Sequence, residues 1–155
     1  MVGIAADTDA DATVTLRLPP RAAHVRTARL VAAAMARRCG VDEELLDEVR
    51  LAVGEACARA VRLHERHRVS EAVTVEFLEG DRFQVAVVDR AATDSPVRPG
   101  AAQRWAAGIG GQAPWADPSG DALGLALLGA VVQDLAVDPD IHGRGTRVTM
   151  SWPLG

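Results

Sequence analysis

The chain has 155 residues, 48% hydrophobic and 25% charged, with a formal net charge of -4 at pH 7. That profile fits one domain with one core and gives no general attraction to phosphate backbones or anionic lipid. All 17 of the Lys+Arg positions are arginine, and tyrosine is absent, which excludes Schiff-base chemistry and the lysine-bearing phosphate loop of P-loop nucleotidases. The two cysteines, Cys39 and Cys57, make no metal or Cys-x-x-Cys spacing, and no signal peptide is evident, so a reducing cytoplasmic setting is expected. Arginine in place of lysine, together with abundant alanine, points to a GC-rich, actinobacterial genome.

Residues 1–11 are small and acidic and are expected to form a flexible tail, with 12–155 as a single domain. "ATVTLRL" (12–18) alternates Val14, Leu16 and Leu18, a strand pattern. Pro19 and Pro20 stop it and can open a helix, predicted through residues 22–39 and closed by Gly40. Asp42 is the predicted N-cap of the next helix, with Glu43 and Glu44 in its positive first turn. Leu45, Leu46, Val49, Ala52, Val53, Ala56, Ala60 and Leu63 trace one apolar stripe on that helix, with Glu48, Glu55 and Arg59 along its edge.

"HERHR" (64–68) reads as a solvated helix end; His64 and His67 stand three apart, not at the four-residue spacing of zinc proteases. Residues 72–78 and 82–89 alternate around Glu79-Gly80-Asp81 and predict a hairpin. Residues 90–120, rich in Gly and Pro, read as a lid or binding loop, and Trp105 and Trp115 within it fit lid, interface or sheet packing alike. A helix over 121–135 follows; its run 123–132 is shorter than the roughly 20 residues of a membrane span. "LAVDPD" (135–140) offers a short strand beside a final strand over 145–154, which turns Val148, Met150 and Trp152 to one side. This order predicts an α+β two-layer sandwich: a mixed, mostly antiparallel sheet with helices on one face.

Four motifs in that order resemble the ATP-binding fold shared by DNA gyrase, the heat-shock chaperone ATPase and sensor histidine kinases. The closest resemblance is to the anti-sigma factor/serine-protein kinases of Gram-positive bacteria, the RsbW and SpoIIAB group. Their Glu-Ala-x-x-Asn motif is matched by Glu55-Ala56-Cys57-Ala58-Arg59, and their Asp-x-Gly-x-Gly turn by Asp89-Arg90-Ala91-Ala92-Thr93. Their Gly-x-Gly-Leu is matched by Ala122-Leu123-Gly124-Leu125, and their final Gly-Thr by Gly145-Thr146. The resemblance implies that Glu55 stands where a general base acts on a protein serine and Arg59 where an asparagine holds Mg²⁺. It places Asp89 at the adenine amino group, and Ala91, Thr93, Gly124, Leu125 and Thr146 around the nucleotide. Arg29, with Arg26 beside it, falls near a family arginine that contacts the sigma factor, and the family implies dimerisation through the sheet side.

The departures are chemical. Arginine has donors and no acceptor, so Arg59 cannot ligate a cation, and Mg²⁺ requires oxygen ligands. Arg59 also follows Glu55 by four residues, the spacing of a helical ion pair worth about 0.2–0.5 kcal/mol. Such a pair would occupy the lone pairs of Glu55, and an ordinary ion pair at the edge of a core stripe is the plain alternative to a relic of a nucleotide site. Alanine at 91 and 122 would be strained if those positions needed positive φ. The sequence therefore leads to a regulator that binds a sigma factor or a STAS-type anti-anti-sigma protein, requires no cofactor and metal, and uses neither nucleic acid nor membrane. An active ATP-dependent serine kinase acting on the antagonist, and a small-ligand sensor, are the other readings it leaves open.

Overall fold

The computed structural model describes residues 3–7, 13–91, 121–140 and 144–155. Thr93, Trp105, Trp115 and the rest of the expected loop beyond residue 91 lie outside the described residues, as does the side chain of Ala122.

Six strands form one sheet: β1 (Gly3–Asp7), β2 (Thr13–Leu18), β3 (Val73–Glu79), β4 (Arg82–Val88), β5 (Asp134–Pro139) and β6 (Thr146–Pro153). Their spatial order is β1-β2-β3-β4-β6-β5. Every pair among the described residues is antiparallel, so the expectation of a mixed sheet gives way to a purely antiparallel one. Among the described residues three helices, α1 (Val25–Cys39), α2 (Leu46–His67) and α3 (Asp121–Val131), complete the α+β architecture. α2 packs between α1 and α3 and reaches β3 and β4 beneath it.

The alternation read from the sequence decides which strand side chains enter the core. Across the centre of the sheet Leu16, Val75, Val87 and Val148 lie in one row, and Phe77, Val85 and Met150 in the next; all are buried. Phe77, Phe83 and Trp152 continue the row as a chain of rings with centroids 6.4 Å and 6.1 Å apart. The Trp152 indole N–H donates to Glu48 Oε1 at 2.8 Å, so one polar residue on the edge of the α2 stripe satisfies a buried donor of β6. On the other side of the sheet an ion pair between Arg147 of β6 and Glu76 of β3 spans β4. It lies over Ala86 and Val88, which are buried although they belong to the strand positions opposite the core-facing ones.

Gly40, with φ 92°, ends α1 as expected, and the bonds Val41 N–H to Ala36 O and Gly40 N–H to Arg37 O close the last turn. Three local expectations are corrected. Within the tail expected over residues 1–11, Gly3–Asp7 instead pair along β2 as an edge strand. Asp42 gives no side-chain cap; its carbonyl accepts the Leu45 N–H, and Glu43–Leu45 form a 3-10 turn before α2. The helix expected to reach residue 135 ends at Val131, after which Asp134 already pairs with Ser151 in the sheet.

α2 ends on Arg68, the one described non-glycine residue with positive φ, at 54°, closed by Val69 N–H to His64 O. A side chain in this conformation is strained, and glycine is not. Arg68→Gly is expected to raise stability by about 0.5–1 kcal/mol, read as a higher urea midpoint at unchanged slope.

Candidate functional site

The end of β4 and the middle of α2 meet at a buried ion pair. Arg59 Nη1 donates to Asp89 Oδ2 at 3.2 Å, with the two side chains 2% and 1% exposed. Asp89 Oδ1 accepts the Ala91 N–H at 3.1 Å, and the Asp89 N–H donates to Thr146 O at 3.1 Å. Burial pushes the Asp89 carboxyl up from 3.8, while Arg59, the Ala91 N–H and His64 draw it back down. Gly145 makes the close approach of β6 to this point: a Cβ there would lie 1.9 Å from the Asp89 carbonyl oxygen, and its φ is +96°. The Gly145-Thr146 motif thus has a steric reason in the chain itself, and Thr146 is buried beside it.

The i,i+4 pair expected between Glu55 and Arg59 does not form. A helix-surface pair contributes about 0.2–0.5 kcal/mol, whereas leaving a buried aspartate without a cation costs several kcal/mol, so Asp89 outcompetes Glu55 for the guanidinium. Nor is Arg59 at a half-exposed edge; it is wholly inside. Glu55, half-buried, lines a small apolar cavity between α2 and the second half of α3 instead. At the first half of α3, Leu125 is buried in the core, and Arg62 Nη2 lies 3.5 Å from where a Cβ on Gly124 would stand. Ala91 has no positive φ and Ala122 sits within α3, so alanine brings no backbone strain at either position. The structure therefore unites Arg59, Asp89, Ala91 and Thr146, and sets Glu55 apart from them.

Sequence reasoning missed His64. It is 1% exposed rather than solvated, because it continues the buried line of α2 one turn after Ala60. Its Nε2 accepts the Arg90 backbone N–H at 2.8 Å, so the ring proton belongs on Nδ1, which donates to the Glu71 carbonyl at 3.1 Å. This neutral ring ties α2 to the start of β3 and to the turn that follows Asp89. Burial lowers its affinity for a second proton below the ordinary 6.5, partly offset by Asp89 and Glu71. Arg90 also pairs with Asp140, whose N–H donates to Gly145 O, so the turn is held from both sides. The signal that could have found His64 is its helical register with Ala56 and Ala60.

Chemically, the pair offers little to a metal. Among the described residues no group of three or more His, Cys, Asp or Glu side chains could hold an ion. Arg59 has no lone pair to give, and both Asp89 oxygens already accept a donor. Arg26 and Arg29 stand exposed on α1, where the Arg29 stem crosses α2 at Gly54; a Cβ on that glycine would come within 2.9 Å of Arg29 Cδ.

Comparison with known proteins agrees with this architecture. The profile of the histidine kinase-like ATPase domain matches residues 18–152. Curated relatives include the serine-protein kinases RsbW of Bacillus mycoides (strain KBAB4) and Bacillus cereus (strain AH187). Each is 29% identical over 76 residues, 49% of this chain and 48% of the relative. The chain thus spans about half the length of the curated relatives it matches.

Two measurements check the site. Arg59→Met should cost about 3–5 kcal/mol by urea denaturation, and adding Asp89→Asn should return most of that loss; additive losses would show that the pair is not coupled. For His64, the unfolded chain takes up its proton first as pH falls through 6.5. Its contribution to stability is therefore complete above 6.5 and lost as pH drops toward the lower folded value. Asp89 acts with the opposite sign in a window just above 3.8, where its raised carboxyl takes up a proton before the unfolded one does. The denaturation midpoint should fall from about pH 7 to about pH 5.5, and His64→Gln should flatten that slope.

Proposed function

Since the chain belongs to the histidine kinase-like ATPase domain family, we propose that it is an anti-sigma-factor-like regulator that works by protein binding, with its ATP binding impaired. Its partners are a sigma factor, an anti-anti-sigma protein of STAS type, or both in turn, within the cytoplasm. The observation that carries this reading is the Arg59–Asp89 pair. In the family's geometry these two positions face the metal and the adenine; here the first carries a cation with donors only, and that cation is spent on the second. ATP with Mg²⁺ does not fit such a donor set, because a fixed positive charge and an engaged carboxylate replace an oxygen ligand and a vacant acceptor. What a damaged nucleotide site leaves is a surface: exposed Arg26 and Arg29 on α1 for a partner, and, among the described residues, a sheet side without helices for a second copy.

One observation favours a second reading. Glu55 is not tied up by Arg59, so the carboxylate at the general-base position remains available for a serine hydroxyl, as in a serine-protein kinase. The two readings part in one experiment. Millimolar ATP with Mg²⁺ should leave the melting temperature unmoved, and complexes with a sigma factor or STAS-type protein from the same genome should form equally with and without it. Phosphorylation of that antagonist by the unmodified protein, abolished by Glu55→Ala, would establish the kinase instead.

A further inference from the structure

The groove between α2 and α3 carries a feature that a degenerate nucleotide site does not explain. Its walls are Leu51 and Ala52 of α2 and Leu127, Leu128 and Val131 of α3, and almost all of its surface is hydrocarbon. Leu51 is 47% exposed and Leu127 50%; with Leu30 they are the large apolar side chains that stand exposed among the described residues. Two of those three therefore converge on one groove. The single charge in its lining is Glu55. Among the described residues no hydrogen bond or ion pair engages that carboxylate, since the arginine one turn on is committed to Asp89.

Size and charge select the occupant. The cavity holds about 130 Å³, well below the roughly 300–1,000 Å³ of a small-molecule pocket, so it suits one inserted side chain rather than a free ligand. A purely apolar side chain would strip water from Glu55 and leave a charge without a partner, and an acidic one would be repelled. A cation with an aliphatic stem satisfies both the leucines and the carboxylate. Two helices walling an apolar groove are the usual seat for a third, with anchors spaced one turn apart.

We propose that the α2–α3 groove docks a helix of a partner protein that presents an arginine or lysine flanked by aliphatic residues, with Glu55 reading the cation. This rests on the protein-binding reading above and adds a surface distinct from α1 and from the Arg59–Asp89 pair. It also gives Glu55 a role that requires no phosphoryl transfer.

The test uses the full chain with ¹³C-labelled leucine and valine methyls. The probe is a synthetic helical peptide carrying leucines one turn either side of a central arginine, beside its counterpart with glutamate in that place. The arginine peptide should shift the Leu51, Leu127 and Val131 methyls saturably. The glutamate peptide, and Glu55→Gln with the arginine peptide, should bind at least tenfold more weakly, and Glu55→Arg should reverse the preference. Glu55 is half-exposed, and Leu127→Ser, at a still more exposed position, supplies a second variant that should abolish the shifts without unfolding. Unmoved methyls, or equal binding of both peptides by Glu55→Gln and the unmodified chain, would overturn the proposal. Methyl shifts that follow protein concentration without peptide would overturn it in favour of a second copy of this chain. If sigma-factor or antagonist complexes form while the groove fails these tests, the groove alone is lost; if neither complex forms, the protein-binding reading fails separately.

Discussion

A guanidinium and a carboxylate removed from water together hold the middle of α2 against the end of β4. Arg59 reaches from the middle of α2 to Asp89 at the end of β4, and almost every feature of the site follows from that reach. Once the pair is formed, the Asp89 backbone is fixed against Thr146, Gly145 must be glycine to let β6 approach, and the next turn is set for His64 and Asp140 to hold. The pair need not add much net stability, because desolvating two charges offsets most of their attraction. Its consequence is specificity of position: neither partner tolerates being left alone, so helix and strand are registered to each other.

The same pair divides the polar edge of α2 into separate tasks. Glu48 accepts the Trp152 indole and anchors the aromatic end of the core; Arg59 neutralises Asp89; His64 pins the turn after it; Glu55 faces an apolar groove. A helix whose border residues each answer to a different neighbour is a hub, and among the described elements α2 touches both other helices and the sheet. The arrangement satisfies these polar groups with contacts internal to the chain.

How much of this was legible in the sequence depended on the range of the interaction. Gly40 at the end of α1, the alternation of β3 and β4 and the apolar stripe of α2 are local patterns, and they were read correctly. β1 was missed because its five small residues carry little apolar alternation; its existence depends on pairing with β2. The end of α3 was placed too late because an uninterrupted apolar run has no period to mark where helix gives way to strand. Trp152, Asp89 and the Arg90 N–H, which engage Glu48, Arg59 and His64, lie 104, 30 and 26 residues from them, so a helical neighbour rule offered Glu55 for Arg59 and solvent for His64. Burial, which only the tertiary fold supplies, decided both.

The Arg147–Glu76 bridge over β4 acts as a small third layer on the side of the sheet where no helix lies among the described residues. Its two polar side chains flank Ala86 and Val88, both buried, in the sheet register. The centre of that face is consequently a surface of charge and hydroxyl groups, with Thr149 and Ser151 continuing it along β6. Two copies meeting there would join through a contact weakened by added salt rather than through an oily seam, and they could part again without exposing core.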